Sequence, residues 1–224
     1  MRVLELFSGT KSVSRVTREL GWSTVSLDID PTHDPDLCLD IMDFDETSYS
    51  KDYFQFVWAS PDCASYSRAR SNAIKDRVEA MQLADRLVTK TRQIIDYFDC
   101  EWCIENPASS RLWKREVARG LLENSCVTSY CSFGMLYRKD TRIASSFVLN
   151  LPRCLGEGHC QAMIGSRHKE WAQRGYNLKR KGAVEQRSHT LDELHSIPSG
   201  LVEAILGQMH CRVNKKKEDP VYVV

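Results

Sequence analysis

The sequence has no apolar run approaching the ~18 residues of a membrane span, and its opening MRVLELF is not a basic segment followed by a long apolar stretch. A soluble, intracellular protein with no membrane partner is therefore expected. Net charge is almost absent, since 31 Lys and Arg against 30 Asp and Glu leave +1. A role on a polyanion must then rest on where the charges lie, not on their sum. There is no internal repeat, no Pro/Gly-rich linker and no low-complexity tract beyond a short NKKKED. Nine cysteines, an odd number scattered over 224 residues, fit reduced thiols in a core, a metal site or a nucleophile better than a disulfide framework.

What is present is enough apolar material, 42% of the chain, for one sizeable core, so a single domain over 1–224 is expected. The charges are also segregated. Residues 28–52 hold nine acids and one lysine, whereas 167–187 hold seven Lys or Arg against two Glu, with Trp171 and Tyr176 interleaved.

RVLELF followed by SVSRVTREL reads as strand, turn and helix, with Val13, Val16 and Leu20 at helical spacing behind a possible Ser12 cap. STVSLDID, DLCLDI and YFQFVWAS read as strands, and Val78 to Phe98 as a helix on its i+3 and i+4 apolar spacing. EWCIENP is a further strand stopped by Pro107, then come a short helical stretch around 111–123, the strands VTSYC and IASSFVL, and a closing helix begun near Pro198. This alternation predicts an α/β fold, a mostly parallel sheet with helices on both faces. Between 152 and about 190 the periodicity dissolves, which marks 150–195 as a small irregular insertion.

Three features carry chemistry. Gly9 in LFSGTKS lies between strand and helix, where a ligand can approach the backbone, although a plain tight turn reads the same way. Asp28 and Asp40 end the next two strands, where a carboxylate can accept hydrogen bonds from ribose hydroxyls, although an ordinary solvated acid reads the same way. Cys63 in SPDCASYS and Glu105 in IENP end two successive buried strands and so should meet at one sheet edge. Arg68 and Arg70 lie close enough in sequence to lower the thiol's pKa. A nucleophilic thiol beside a carboxyl group suits attack on an electron-poor heterocycle whose ring nitrogen is protonated at the same moment.

These segments resemble the cytosine-5 methyltransferases that use S-adenosylmethionine, and the resemblance runs over nearly the whole chain, closest to compact phage-like and viral members. LFSGTKS resembles the family's cofactor turn through Phe7 and Gly9, SLDID its ribose-binding acid at Asp28, and LDI its adenine-contacting acid at Asp40. SPDCASYS resembles the Pro-Cys nucleophile motif, IENP the Glu-Asn-Val motif, SFGMLYRKDTRI the arginine segment through Arg142, and HSIPSGLVEAI the closing segment through Ser196. The resemblance implies a Rossmann-like fold. It implies a catalytic set of Cys63, Glu105, Asn106 and Arg142, with Asn106 orienting Glu105 and Arg142 holding the carbonyl oxygen of the base. It implies an S-adenosylmethionine site of Phe7, Gly9, Thr10, Asp28, Ile29, Asp40, Ile41, Ser60 and Ser196. Three positions depart from the pattern. Lys11 replaces a glycine and would crowd the cofactor turn, Asp62 replaces a proline and would oppose thiolate formation at Cys63, and the arginine segment holds one extra residue.

Cys154, His159, Cys160 and His168 fall within fifteen residues of the irregular segment. A zinc ion held by Cys131, Cys154, Cys160 and His168, with His159 in reserve, would explain how so loop-like a segment keeps a shape. The expected partner is DNA, contacted by Arg68 and Arg70 of a basic loop over 64–77 and by Lys179, Arg180 and Lys181. So small an insertion implies short or relaxed sequence specificity. RNA is an alternative substrate with the same base chemistry, and a binding protein that kept the fold without turnover is another, motivated by Lys11 and Asp62. A zinc deaminase is disfavoured, because no His-x-Glu followed by paired cysteines occurs.

Overall fold

A computed structural model describes residues 1–67, 74–172 and 189–218. Along the chain run β1 (Arg2–Leu6), α1 (Ser12–Glu19), β2 (Ser23–Asp28), β3 (Leu37–Cys38), β4 (Phe56–Ala59) and α2 (Ile74–Phe98). β5 (Glu101–Pro107), β6 (Cys126–Ser129), β7 (Asp140–Ser145), β8 (Met163–Ile164), β9 (Arg167–His168), α3 (Leu191–His195) and α4 (Ser199–Glu218) follow. Seven strands form one sheet in the order β3-β2-β1-β4-β5-β7-β6. β1 to β5 pair in parallel, β7 is antiparallel to β5, and β6 is antiparallel to β7. The expected mostly parallel sheet is present, with one reversed strand.

Period-two alternation sorts each strand's side chains between two cores. Leu4, Leu6, Val57, Ala59, Ile104 and Ala144 pack with Ala84, Val88, Ile94 and Phe98 of α2. Val3, Phe56, Trp58, Cys103 and Ile143 pack on the opposite face with Val13 and Val16 of α1 and with Leu201, Val202, Ile205 and Leu206 of α4. Helices therefore cover both faces, and parallel strands send their carboxyl ends to one edge.

Local expectations change, beginning with the strand VTSYC, which stops at Ser129 and leaves Tyr130 and Cys131 in a 3-10 turn. Residues 111–123 hold only two short 3-10 turns, Arg111–Lys114 and Glu116–Ala118, the first capped by the Ser110 hydroxyl on the Leu112 N–H. The strand expected at IASSFVL begins earlier, at Asp140, and ends at Ser145, because pairing with β5 runs from Thr141 opposite Pro107 to Ser145 opposite Cys103.

The α1 N-terminus is held by a side chain that sequence reading missed. Ser12 does not cap it; instead Glu5, an acid inside the apolar β1 run and only 3% exposed, accepts the Val13 N–H and Ser14 N–H, both at 2.9 Å, and the Ser14 hydroxyl. The carboxylate occupies the position of an N-cap, satisfying amides that an isolated helix leaves orphaned. Burial pushes the Glu5 carboxyl up from its ordinary pKa against these hydrogen bonds. Glu5→Gln retains the shape but turns an NH₂ toward backbone donors. It is expected to lower unfolding stability by about 1–3 kcal/mol, measured as a lower urea midpoint with unchanged m value; an unshifted midpoint would refute the capping role.

Candidate active site

The turn after β1 is built on left-handed backbone: φ is 57° at Phe7, 43° at Gly9 and 55° at Lys11. Glycine adopts such values without a Cβ penalty, and Phe and Lys do so only when their surroundings hold them there. Two clamps are visible. The Ser8 N–H donates to the Leu27 carbonyl at 3.0 Å, and the Gly9 N–H to Asp28 Oδ2 at 2.8 Å, so the end of β2 dictates the turn. The Lys11 side chain leaves the turn and donates to the Asp34 carbonyl, and it does not line the cavity beside the turn. The expected crowding by Lys11 does not occur.

That cavity, of about 520 Å³, lies along the carboxyl edge of the sheet. Phe7, Gly9, Thr10, Asp28, Ile29, Asp40, Ile41 and Ser60 all line it. Ser196 stands behind it, donating to the Thr10 hydroxyl at 3.0 Å, while the Ile197 N–H reaches the Ser12 hydroxyl at 3.0 Å. Residues some 186 positions apart are thus locked at the Gly9 turn. His33 and Asp192, 3.6 Å apart, add a link across the same cavity. The lining suits a nucleoside-bearing ligand. Ile29 is apolar yet 66% exposed at the wall, the Ser8 hydroxyl is buried with no partner among the described residues, and a volume of this size is typical of small-molecule sites.

Cys63 and Glu105 line the other end of this cavity. Ala59 of β4 pairs with Ile104 of β5, so the two strands deliver the thiol loop and the carboxyl group side by side. Glu105, 7% exposed, accepts from the Thr141 hydroxyl and lies 3.5 Å from the Tyr130 hydroxyl. Burial, with Glu105 beside it, pushes the Tyr130 phenol well above its usual range and keeps it a donor. Asn106 does not orient Glu105: one residue further along the strand, it faces the other way and donates Nδ2–H to the Pro61 carbonyl at 2.8 Å. Its role is to anchor the loop that carries Cys63.

Arg142 is not brought to Cys63. It shares a face with Ala144, on the α2 side of the sheet, where its guanidinium sits 5.8 Å above the Trp113 ring and donates to the Ser125 hydroxyl at 2.7 Å. Among the described residues the Lys or Arg lining the cavity is Lys139, missed in sequence reading although the extra residue in the arginine segment was its signal. Its Nζ donates to the Leu194 carbonyl at 2.7 Å and lies 4.7 Å over the Tyr130 ring. Asp62 accepts from the Ala64 N–H, the Ser65 N–H and the Ser65 hydroxyl, and so forms the turn beneath Cys63. Cys131, Cys154, Cys160 and His168 converge away from this cavity, and His159 stays outside their group. Arg68, Arg70, Lys179, Arg180 and Lys181 lie outside the described residues.

A protein of Frog virus 3 (isolate Goorha), named "Probable DNA (cytosine-5)-methyltransferase", is 31% identical over 181 residues, covering 73% of this chain and 79% of its own. The chain belongs to the cytosine-5 methyltransferase family. No protein-family model matches it. The solved methyltransferase EhMeth of Entamoeba histolytica superposes with a TM-score of 0.51 at 14% identity over 69% of this chain, which supports the Rossmann-like methyltransferase fold. The chain spans 57% of that structure's length. The S. pombe Dnmt2 methyltransferase aligns over 66% of this chain and 51% of its own, at 18% identity and a TM-score of 0.44. No helix among the described residues is long and apolar enough to cross a membrane.

Burial pushes the Cys63 thiol above its ordinary pKa, Glu105 and Asp62 push the same way, and the Lys139 ammonium opposes them. In the methyltransferase without substrate, Cys63 is expected to alkylate more slowly than a free cysteine at neutral pH, and faster as pH rises. Glu105→Gln should speed the reaction and Lys139→Met should slow it, followed at the Cys63 peptide by mass spectrometry. Acceleration by Lys139→Met would contradict the electrostatics.

Proposed function

We propose that this methyltransferase places a methyl group on carbon 5 of a cytosine in DNA through a covalent adduct of Cys63. The observation that carries the reading is the shared cavity, with Cys63 and Glu105 at one end and the Gly9 turn, Asp28 and Asp40 at the other. A cytosine reaches such a site only by leaving the base stack. Cys63 adds its thiolate to carbon 6, the carbon 5–carbon 6 π pair becomes available at carbon 5, and Glu105 supplies the hydrogen-bonded proton at ring nitrogen 3. S-adenosylmethionine, when bound by the residues around Gly9, Asp28, Ile29, Asp40 and Ile41, supplies an electrophilic methyl group for carbon 5. Loss of the carbon-5 proton then returns the electron pair to the ring and expels the thiolate.

Lys139 takes the place proposed from sequence for Arg142. One of its three N–H donors is held by the Leu194 carbonyl, and the ammonium favours the Cys63 thiolate. Tyr130 and Thr141 hold Glu105 and are positioning residues. The insertion over 150–195 is the proposed recognition segment, with a short or relaxed target sequence.

Labelled methyl groups are expected to appear in duplex DNA with the unaltered protein and to vanish with Cys63→Ala. Lys139→Met should lower kcat by about 10²-fold, the scale of losing one charge-stabilising donor. Duplex carrying 5-fluorocytosine, which has no carbon-5 proton to lose, should trap a covalent adduct on Cys63. Label in tRNA alone would move the substrate to RNA; DNA binding with no transfer by either form would make this a silent relative.

A further inference from the structure

Cys131, Cys154, Cys160 and His168 take no part in the cavity chemistry, yet their ligand atoms all lie within 4.8 Å of one another. Cys154 Sγ and Cys160 Sγ stand 3.5 and 3.6 Å from His168 Nε2. Tetrahedral zinc with bonds of about 2.3 Å to sulfur and 2.0–2.1 Å to nitrogen requires sulfur–nitrogen edges of roughly 3.6 Å. Three soft thiolates and one imidazole make a full ligand set, with no open position for a substrate.

The segment that supplies three of these side chains needs such a tie. Between 150 and 170 Ala162 is the buried apolar side chain, while Leu155 and Ile164 are 77% and 64% exposed. Ordering a chain that buries so little apolar surface leaves most of its conformational entropy unopposed. Its internal structure is slight: β8 and β9 are two residues each, and positive φ at Gly156 and Gly158 lets the chain double back so that the Cys160 N–H meets the Gly156 carbonyl at 3.0 Å. The fourth ligand, Cys131, comes from the turn directly after β6.

We propose that these four residues bind one zinc ion, and that it staples the 150–170 segment to the end of β6. The surroundings fit a structural site. The Cys154 N–H donates to the Ser129 hydroxyl at 3.1 Å, and that hydroxyl donates to Asp140 Oδ1 at 2.7 Å, so the ligand loop is tied to the first residue of β7. A disulfide would use two thiols and strand the third with the imidazole. The ion orders a segment and does not take part in methyl transfer.

The full chain, purified without chelator, is expected to carry one zinc per molecule by elemental analysis. Alkylation mapped by mass spectrometry should find Cys131, Cys154 and Cys160 protected, reacting about tenfold faster once a strong chelator removes the metal, while exposed Cys38 and Cys211 react alike in both states. Cys160→Ser should lose the zinc and Cys38→Ser should keep it. Substoichiometric metal together with chelator-independent reaction of all three thiols overturns the proposal, as does zinc retained in Cys160→Ser. Stoichiometric iron in place of zinc overturns the identity of the ion. Should Cys160→Ser fail to fold, the metal content and thiol footprint of the unaltered protein decide the matter. None of these readouts depends on methyl transfer, so they stand or fall apart from the proposed reaction.

Discussion

The parallel register of β1, β4 and β5 is the constraint on which the site depends. Leu6 pairs with Ala59, and Ala59 with Ile104, so the three strands reach one level, beyond which β5 alone stays paired, with β7, as far as Pro107. Their continuations are the Gly9 turn, the Cys63 loop and Glu105. Each strand alone is short, and its burial on both faces fixes which side chains alternate up and down. A slip of one residue in β5 would exchange Glu105 for Asn106 and turn the carboxyl group onto the α2 face. The hydrophobic pattern of EWCIENP thus determines the chemistry as well as the packing.

Of two departures from the family's pattern, the lysine loses its force when the side chains are followed, and the aspartate keeps its opposition to the thiolate. At position 11 the backbone needs left-handed φ, which glycine gives without penalty; a lysine there costs about 1–2 kcal/mol, offset in part by its bond to the Asp34 carbonyl and its attraction to Asp36. The cavity keeps its volume because that side chain points elsewhere. At position 62 an aspartate makes, by accepting two backbone N–H groups, a turn that proline would stiffen by fixing φ. Its charge raises the pKa of the Cys63 thiol, and Lys139 answers it.

Most of the fold was legible because strands and helices declare themselves by period, and the ends of β1, β2, β4 and β5 follow from where apolar alternation meets Gly, Asp, Ser and Pro. The convergence of Cys131, Cys154, Cys160 and His168 was legible for a different reason, that three of them fall within fifteen residues of a segment without periodicity and the fourth follows the preceding strand. Lys139 was not. In a strand, neighbouring residues face opposite sides, so an insertion of one residue before β7 makes the identity of the inward cation undecidable until the pairing of Thr141 with Pro107 is known. Glu5 was hidden by the opposite effect, since one acid in RVLELF does not break an apolar pattern, and its use as a helix cap appears only when α1 packs behind it.

β7 is where these threads meet. Lys139, just before it, reaches the cavity; Asp140, its first residue, holds Ser129 and Arg138 and through Ser129 the Cys154 loop; Thr141 holds Glu105. Three adjacent residues therefore serve the thiol's electrostatics, the anchoring of the insertion and the placement of the acid. Alternation keeps the jobs separate, because Lys139 and Thr141 share a face and Asp140 does not. Antiparallel pairing with β5 adds what a parallel strand in that place would not: Thr141 enters the sheet opposite Pro107, so its hydroxyl reaches back to Glu105 and to the Asn106 carbonyl at once. Reversal of this one strand is thus what lets the residues leading into the sheet, rather than those leaving it, complete the edge that holds Glu105.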